Sequence, residues 1–243
     1  MTRIGTALRS GARELERTPL LLALLVVAPG YVIFVFTMVA PEGPAIVHIG
    51  EQTIRTTLPR AFPAFTTPMT AALLAGITGL FLMQTAAAAD SRLVLAGFRT
   101  GQLVIARLGI LIGVATVASA ISIGVMLTAF IPDHLGWFAL GTGLVALVYG
   151  MVGVIAGVIF DRLPGVYLIL FGSMIDLFIF QNPLAVDPPT AAKLLPGHYP
   201  LRIVMQAGFA KHVQIEPVGM SVLYLGVLVI LATGAFYREM RLG

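Results

Sequence analysis

Long stretches of this chain carry no charged residue, among them the stretch between Arg60 and Asp90 and the stretch between Arg107 and Asp133. A helix needs only about 20 apolar residues to cross the hydrocarbon core of a bilayer. Hydrophobic residues make up 58% of the 243 residues and charged residues 11%, against roughly 45–50% and about 25% in soluble domains. We therefore expect a membrane protein without a water-soluble domain.

Apolar stretches long enough to span a bilayer occur six times. They predict an all-α membrane protein, a single transmembrane domain over residues 1–243, with spans at Leu20–Ala40, Pro63–Ala89, Ile105–Ile131, Gly136–Phe160, Gly165–Gln181 and Val218–Tyr237. Residues 41–60 are interpreted as a loop. Residues 182–217 are rich in proline and contain two apolar pieces, Ala191–Leu195 and Ile203–Ala210, which predict short helices that lie at the interface or dip partway into the bilayer.

The N-terminal segment is basic and has apolar residues at helical spacing. Ile4, Leu8, Ala12 and Leu15 recur every three or four positions in this segment. Residues 1–18 are therefore expected to form an amphipathic helix on the membrane surface, with a disordered basic leader as the alternative. The apolar run that follows is longer than the core of a secretory signal, so we interpret it as a retained span.

The distribution of basic residues predicts the orientation. Ten of the 15 arginines and lysines fall on the side that holds both termini, and five fall on the other side. The positive-inside rule then places both termini in the cytoplasm of a multi-pass protein of the plasma (inner) membrane. We attribute the net charge of +4 to this topology and not to nucleic-acid binding.

Few residue patterns in the chain indicate chemistry. Cysteine is absent, which excludes thiolate sites, and neither lysine lies in a phosphate-binding Gly-x-x-x-x-Gly-Lys-Ser/Thr loop. The four histidines share no metal-ligand spacing, and the neighbours Asp133 and His134 are a weak indication of catalysis. We expect no catalytic residue, no metal site and no cofactor bound by this chain.

Stripes of hydroxyl-bearing and small residues mark three spans. In the second span Thr67, Thr70, Thr78 and Thr85 share one helix face, which either lines an amphiphilic passage or packs on another helix. The small faces of the third span (Gly109, Gly113, Thr116, Ala120, Gly124, Thr128) and of the fourth (Gly150, Gly153, Gly157) predict close helix packing.

One acidic residue, Asp176, lies inside a predicted span. A carboxylate at membrane depth is unfavourable by about 2.5–3.5 kcal/mol on insertion scales, so it faces protein or a water-filled cavity. A cation or proton site and a structural role at a helix interface are equally compatible with a single acid. The sequence leaves both open.

The whole layout resembles that of the ABC-2 type permeases, the membrane subunits of ATP-binding cassette exporters. Besides the basic first helix and the proline-broken segment, the resemblance rests on DSRLVLAGFRTG at Asp90–Gly101 and LPGHYPLR at Leu195–Arg202. The resemblance implies that residues 90–104 form a cytoplasmic coupling element that binds a nucleotide-binding subunit. Its contact residues would be Arg92, Leu95, Phe98 and Arg99.

The resemblance also implies a mechanism and partners. Alternating access would export a small or amphiphilic substrate, driven by ATP and Mg on the partner cassette subunit, with a second permease copy or a sister permease beside this chain in the bilayer. Residues 182–217 would form re-entrant helices with an outer gate at Pro196, His198 and Tyr199. The substrate pathway would be lined by Thr70, Thr78, Ser173, Asp176 and Phe178. The alternatives are an intramembrane enzyme acting on a lipid-phase substrate and a non-transporting scaffold subunit.

Overall fold

The computed structural model describes residues 19–50, 52–95, 100–185 and 190–242, and it is mostly helical. Among these residues, five helices are long and apolar enough to cross a membrane, so the chain is a multi-pass membrane protein. The first predicted span corresponds to α1, Pro19–Val39, of which the described apolar part is the shorter stretch Val27–Val39. The predicted amphipathic helix, residues 1–18, lies outside the described residues.

The remaining helices follow the predicted order. They are α2 (Leu58–Leu95), α3 (Thr100–Met126), α4 (Leu135–Ile159), α5 (Arg162–Met174), a π-helix (Ile175–Phe180), a 3₁₀ helix (Thr190–Leu194), α6 (His198–Phe209) and α7 (Glu216–Leu242). The π-helix continues α5, and together they form the fifth predicted span. The 3₁₀ helix and α6 match the two short helices predicted between the fifth and sixth spans.

Residues 41–60 are not the loop that the sequence predicted. They contain an antiparallel hairpin of β1 (Pro44–Ile49) and β2 (Gln52–Thr57), paired from Pro44 with Thr57 to Ile49 with Gln52. Ala45, Val47 and Ile49 alternate inward and are buried, which is the period-two pattern of a half-buried strand. Gly50 has a φ of 61°, a value that glycine adopts readily in a two-residue turn.

The hairpin, residues 181–185 and α6 lie together at one end of the helix bundle, which we call the hairpin end. The backbone N–H of His48 on β1 donates to the carbonyl of Pro183 at 2.7 Å, and the N–H of His134 at the start of α4 donates to the carbonyl of Ala207 on α6 at 2.9 Å. Val47, Leu177 and Val204 belong to one buried apolar cluster beneath them. This end of the bundle is therefore built from elements too short to cross a bilayer, held together by backbone hydrogen bonds and a shared apolar cluster.

The centre of the bundle is α2, which contacts α4 most extensively. In its most apolar window 83% of residues are buried, against 17% in α7, so α7 lies at the periphery. Glycines bring α2 and α4 into backbone contact: a Cβ added to Gly153 would lie 2.0 Å from the carbonyl oxygen of Gly76, and one added to Gly79 would lie 2.2 Å from that of Gly150. The predicted packing role of the fourth-span glycines is confirmed.

The small face of the third predicted span behaves differently. Gly113, Thr116, Ala120 and Gly124 are exposed on α3, as is Thr128 just beyond its end, whereas Gly109 is half-buried. A Cβ added to Gly113 or Gly124 would meet nothing within 4 Å. The expectation that this face packs inside the bundle is therefore wrong for the single chain. The opposite face of α3, with Leu111 and Ala115, is the one that is buried.

Candidate functional site

The predicted intramembrane acid, Asp176, is almost fully buried and accepts hydrogen bonds from three donors. It is 3% exposed and lies in the π-helix at the hairpin end. The Tyr149 hydroxyl on α4 donates to its Oδ2, as does the backbone N–H of Gly197 at 2.9 Å, and the Gln181 side chain donates to its Oδ1 at 3.1 Å. Two segments distant in sequence, and a third residue on the next turn of the same helix, therefore converge on one carboxyl group.

Gln181 extends this network to His198. Its Nε2 lies near two acceptors, Asp176 Oδ1 and the carbonyl of Ala192, the latter at 2.7 Å. Because the amide NH₂ must face these acceptors, Gln181 Oε1 is left to accept from His198 Nδ1 at 2.9 Å. The hydrogen-bond pattern thus assigns the proton of neutral His198 to Nδ1.

The π-helix explains how Asp176 and Gln181 come together. The N–H of Gln181 donates to the carbonyl of Asp176, five residues earlier, at 2.9 Å. This wider turn, which often occurs at functional sites in other proteins, allows the Gln181 amide to fold back onto the Asp176 carboxyl group. An uninterrupted α-helix, with 3.6 residues per turn, would carry residue 181 further around the axis.

Asp176 also serves the N-terminus of α6. Gly197 is the N-cap residue of α6 and has no side chain with which to bind the free N–H groups there. The carboxyl group of Asp176 accepts from the Gly197 N–H, and a negative group at this end of a helix is favoured by the helix dipole. Asp176 therefore fastens the fifth spanning helix to the short helix of the hairpin end.

Beside this network the hairpin end contains a cavity of about 570 Å³. Its walls come from the hairpin, the segment after the π-helix, the 3₁₀ helix and α6, and its basic side chains are His48, Lys193, His198 and Arg202. Gln52, Gln181, Asn182 and Gln214 add polar groups. The four histidines share no metal-ligand spacing in the sequence, yet the fold brings two of them, His48 and His198, to one cavity.

Burial, with further contributions from the positive charges of Arg202 and Lys193, lowers the pKa of His198 below its usual value of 6.5. The unfolded chain therefore binds this proton more readily, and stability is lost as the pH falls through and below about 6.5. We expect the thermal unfolding midpoint in detergent to fall between pH 8 and pH 5. In His198→Asn, whose amide nitrogen can replace Nδ1 as the donor, the fall should be smaller. Equal falls in both proteins would contradict this assignment.

The three hydroxyl-bearing residues predicted for the pathway are buried in protein in this conformation. Thr70 donates to the carbonyl of Thr66 at 2.8 Å, Thr78 to that of Leu74 at 2.7 Å, and Ser173 to that of Ile169 at 2.6 Å. Hydroxyls in membrane helices are commonly satisfied by the preceding turn in this way. Phe178 is half-buried and packs on Phe36 and Phe65, with ring centroids 6.1 and 5.8 Å apart. Of the five predicted pathway residues, only Asp176 belongs to the polar network.

The predicted gate residues lie at the hairpin end, and one of them belongs to the network. His198 bonds to Gln181, and its ring meets the ring of Tyr199 edge-on at 4.9 Å. Pro196 is half-buried and precedes Gly197, the residue that donates to Asp176. The fold thus joins a residue predicted for the pathway to a residue predicted for the gate.

Most of the predicted coupling residues lie outside the part of the chain that the structure describes. The backbone of α2 continues through Asp90 to Leu95, so Asp90 does not begin a separate short helix. Phe98 and Arg99 lie outside the described residues, as do the side chains of Arg92 and Leu95. The coupling assignment stays a prediction.

Comparison with protein-family models and with curated proteins finds no match to this chain. The resemblance to a permease family therefore rests on the layout of the chain and the residues quoted above, and the site is interpreted from its own geometry.

Sequence reasoning missed Tyr149 and Gln181, which complete the network around Asp176. A signal for Tyr149 existed, because it lies well inside an apolar span, where its hydroxyl must find a partner. Gln181 ends the fifth predicted span and reads as an interfacial residue. The π-helix turns the Gln181 amide back to Asp176. A π-helix cannot be predicted from an apolar sequence.

Proposed function

We propose that this chain is the membrane subunit of an ATP-binding cassette exporter, an ABC-2 type permease. The observation that carries the proposal is the link from Asp176 in the fifth spanning helix, through Gln181, to His198 at the start of α6. It fastens a short, buried helix over one end of a bundle of spanning helices. Each hydrogen bond of this link contributes about 0.5–1.5 kcal/mol net. The link can therefore stabilise a closed conformation and still break when the passage opens.

The proposal includes a topology. Helix α1 is taken as the sixth span, since 21 residues suffice to cross the hydrocarbon core. Both termini then lie in the cytoplasm of the plasma (inner) membrane, the hairpin end faces outward, and α6 belongs to a re-entrant segment with the gate at Pro196, His198 and Tyr199. The turn between α4 and α5, which carries Asp161 and Arg162, faces the cytoplasm.

The proposed mechanism is alternating access. A cassette subunit binds ATP and Mg, and its closure moves the coupling residues Arg92, Leu95, Phe98 and Arg99. A second permease copy or a sister permease completes the passage. In the closed conformation Asp176 accepts from three protein donors, and opening replaces the donor of Gly197 or of Gln181 with water or substrate. The buried state of Thr70, Thr78 and Ser173 supports closure of the passage in this conformation.

Co-purification and ATP turnover test the proposal. The tagged chain, extracted in mild detergent, should bring with it a subunit that contains a phosphate-binding Gly-x-x-x-x-Gly-Lys-Ser/Thr loop. The ATP turnover of the complex should fall by about tenfold or more in the double variant Arg92→Glu, Phe98→Ala, as expected when charged and apolar anchors of an interface are lost together. The control Arg55→Glu reverses an exposed charge on β2 and should leave turnover unchanged.

Two results would contradict the proposal. One is an ATPase subunit whose association and turnover survive the double variant. The other is an activity of the chain that persists after ATP depletion and is lost when Asp133, His134 and His198 are replaced, which would favour an intramembrane enzyme. In the structure the ring of His134 bonds to the carbonyl of Lys211 at 3.0 Å, an arrangement that ties α4 to the segment after α6.

A further inference from the structure

Among the residues that the structure describes, the charged side chains lining the cavity at the hairpin end are all basic. Lys193 and Arg202 both line it, together with His48 and His198, and no carboxylate lines it among the residues that the structure describes. Neither Lys193 nor Arg202 forms an ion pair with a described residue. Asp176 bonds to Gln181, which lines the cavity, but Asp176 does not itself line it, and its oxygens accept from Tyr149, Gly197 and Gln181.

Arg202 is positioned by its neighbours but is not saturated. Its Nη2 donates to Gln214 Oε1 at 2.8 Å, and Gln214 is itself held through Gln206, which accepts from the Gln214 backbone N–H at 3.0 Å. The Nε of Arg202 is buried without a hydrogen-bond partner in the described structure. Gly50 allows the hairpin turn to approach the guanidinium, since an added Cβ would lie 3.0 Å from Nη2. A half-buried guanidinium with a free donor is unusual, because buried polar groups are normally bonded.

We propose that this cavity binds a ligand through an anionic group, a phosphate or a carboxylate, held by Arg202 and Lys193. The planar guanidinium suits oxyanions, and Lys193 adds a mobile second charge. The cavity of about 570 Å³ lies within the 300–1,000 Å³ typical of small-molecule sites, so it has room for a ligand larger than the anionic group alone. The polar groups of Gln52, Asn182 and Gln214 surround the remaining volume.

The anionic group has two sources that fit this chemistry, a free ligand and a lipid headgroup, and binding at the hairpin end needs no ATPase partner. The inference is therefore independent of the proposed transport function. If no ATPase subunit associated with the chain, the anion-binding inference would still hold. If no anion bound, the result of the coupling experiment would not change.

Calorimetry on the full chain in phosphatidylcholine nanodiscs tests the inference with three probes: inorganic phosphate, dihexanoyl phosphatidic acid and dihexanoyl phosphatidylcholine. We expect saturable binding of at least one anionic probe and none of the zwitterionic lipid. Binding of phosphate assigns a free anion, and binding of phosphatidic acid alone assigns a lipid headgroup. Lys193→Gln and Arg202→Gln should each raise the Kd by about tenfold or more, because each removes a charge-assisted hydrogen bond.

Lys211→Gln is the matched control, because Lys211 is exposed near the hairpin end and does not line the cavity. It should change the Kd by less than about twofold. Lys193 is exposed and bonds to no described residue, so Lys193→Gln keeps the test valid if Arg202→Gln fails to fold. The inference is overturned if neither anionic probe saturates, or if Lys211→Gln weakens binding as much as Lys193→Gln.

Discussion

Replacing Gly153 with alanine is expected to force α2 and α4 apart and to destabilise the protein by about 3 kcal/mol or more, at the upper end of the range for overpacked cores. The added Cβ would lie 2.0 Å from the carbonyl oxygen and 3.1 Å from the Cα of Gly76. Both are backbone atoms of a central helix, so no side chain can rotate to make room. Thermal unfolding in detergent should show a fall in the midpoint of roughly 6 °C or more.

Gly143→Ala is the matched control for this prediction. Gly143 lies on the same helix, and a Cβ added there would meet nothing within 4 Å. Since alanine is favoured over glycine in a helix by roughly 0.5–1 kcal/mol, this variant should be as stable as the parent or slightly more so. If the two variants unfolded at the same temperature, the backbone contact between α2 and α4 would not be the feature that holds the bundle together.

Replacing Asp176 with alanine is expected to break the link between the fifth spanning helix and α6 at the hairpin end. The change leaves the Gly197 N–H, the Tyr149 hydroxyl and one hydrogen of Gln181 without their acceptor in a buried site. Each unsatisfied buried donor is unfavourable by about 1–3 kcal/mol, so a total loss of about 3 kcal/mol or more is expected. Hydrogen exchange measured by mass spectrometry should become faster in Thr190–Leu194 and at the start of α6, before global unfolding.

Two variants serve as controls for Asp176→Ala. Asp161→Ala removes an exposed carboxyl group that makes no side-chain cap hydrogen bond at the start of α5, so exchange at the hairpin end should not change. Asp176→Asn keeps the shape and one acceptor oxygen, and its loss of stability should lie between those of the parent and of Asp176→Ala. If the Asp176→Ala protein folded and its exchange rate at the hairpin end were unchanged, Asp176 would not be what links α5 to α6. The proposed gate would then lose its main support.

The site was only half predictable from sequence. Asp176 stood out because a single acid in an apolar span must be explained by burial or by water. Its partners did not stand out, since Gln181 and Gly197 are ordinary residues until a π-helix and a helix N-terminus place them 3.1 and 2.9 Å from one carboxyl group. The basic cavity was missed for the same reason, because His48 and Arg202 lie far apart in the chain.

The fold divides in a similar way. Five spanning helices followed from apolar length alone, because the bilayer imposes one rule on every span: the backbone must bond to itself. The hairpin at residues 44–57 was missed because its two strands are short, and its polar members resemble a loop when no partner surface is known. The alternating apolar residues of β1 indicate a strand only when α2 and α6 are known to bury them.

By itself, the sequence determined that this chain is a membrane protein, the order of its helices along the chain, and the glycine face with which α4 packs closely. Only the tertiary structure decided which small face is used, that of α4 and not that of α3, and what the acid in the fifth span bonds to. The physical reason is range. The free energy of transfer from water to lipid is a sum over residues that are neighbours in the sequence. Hydrogen bonds and backbone contacts instead depend on atoms that folding brings together from distant parts of the chain.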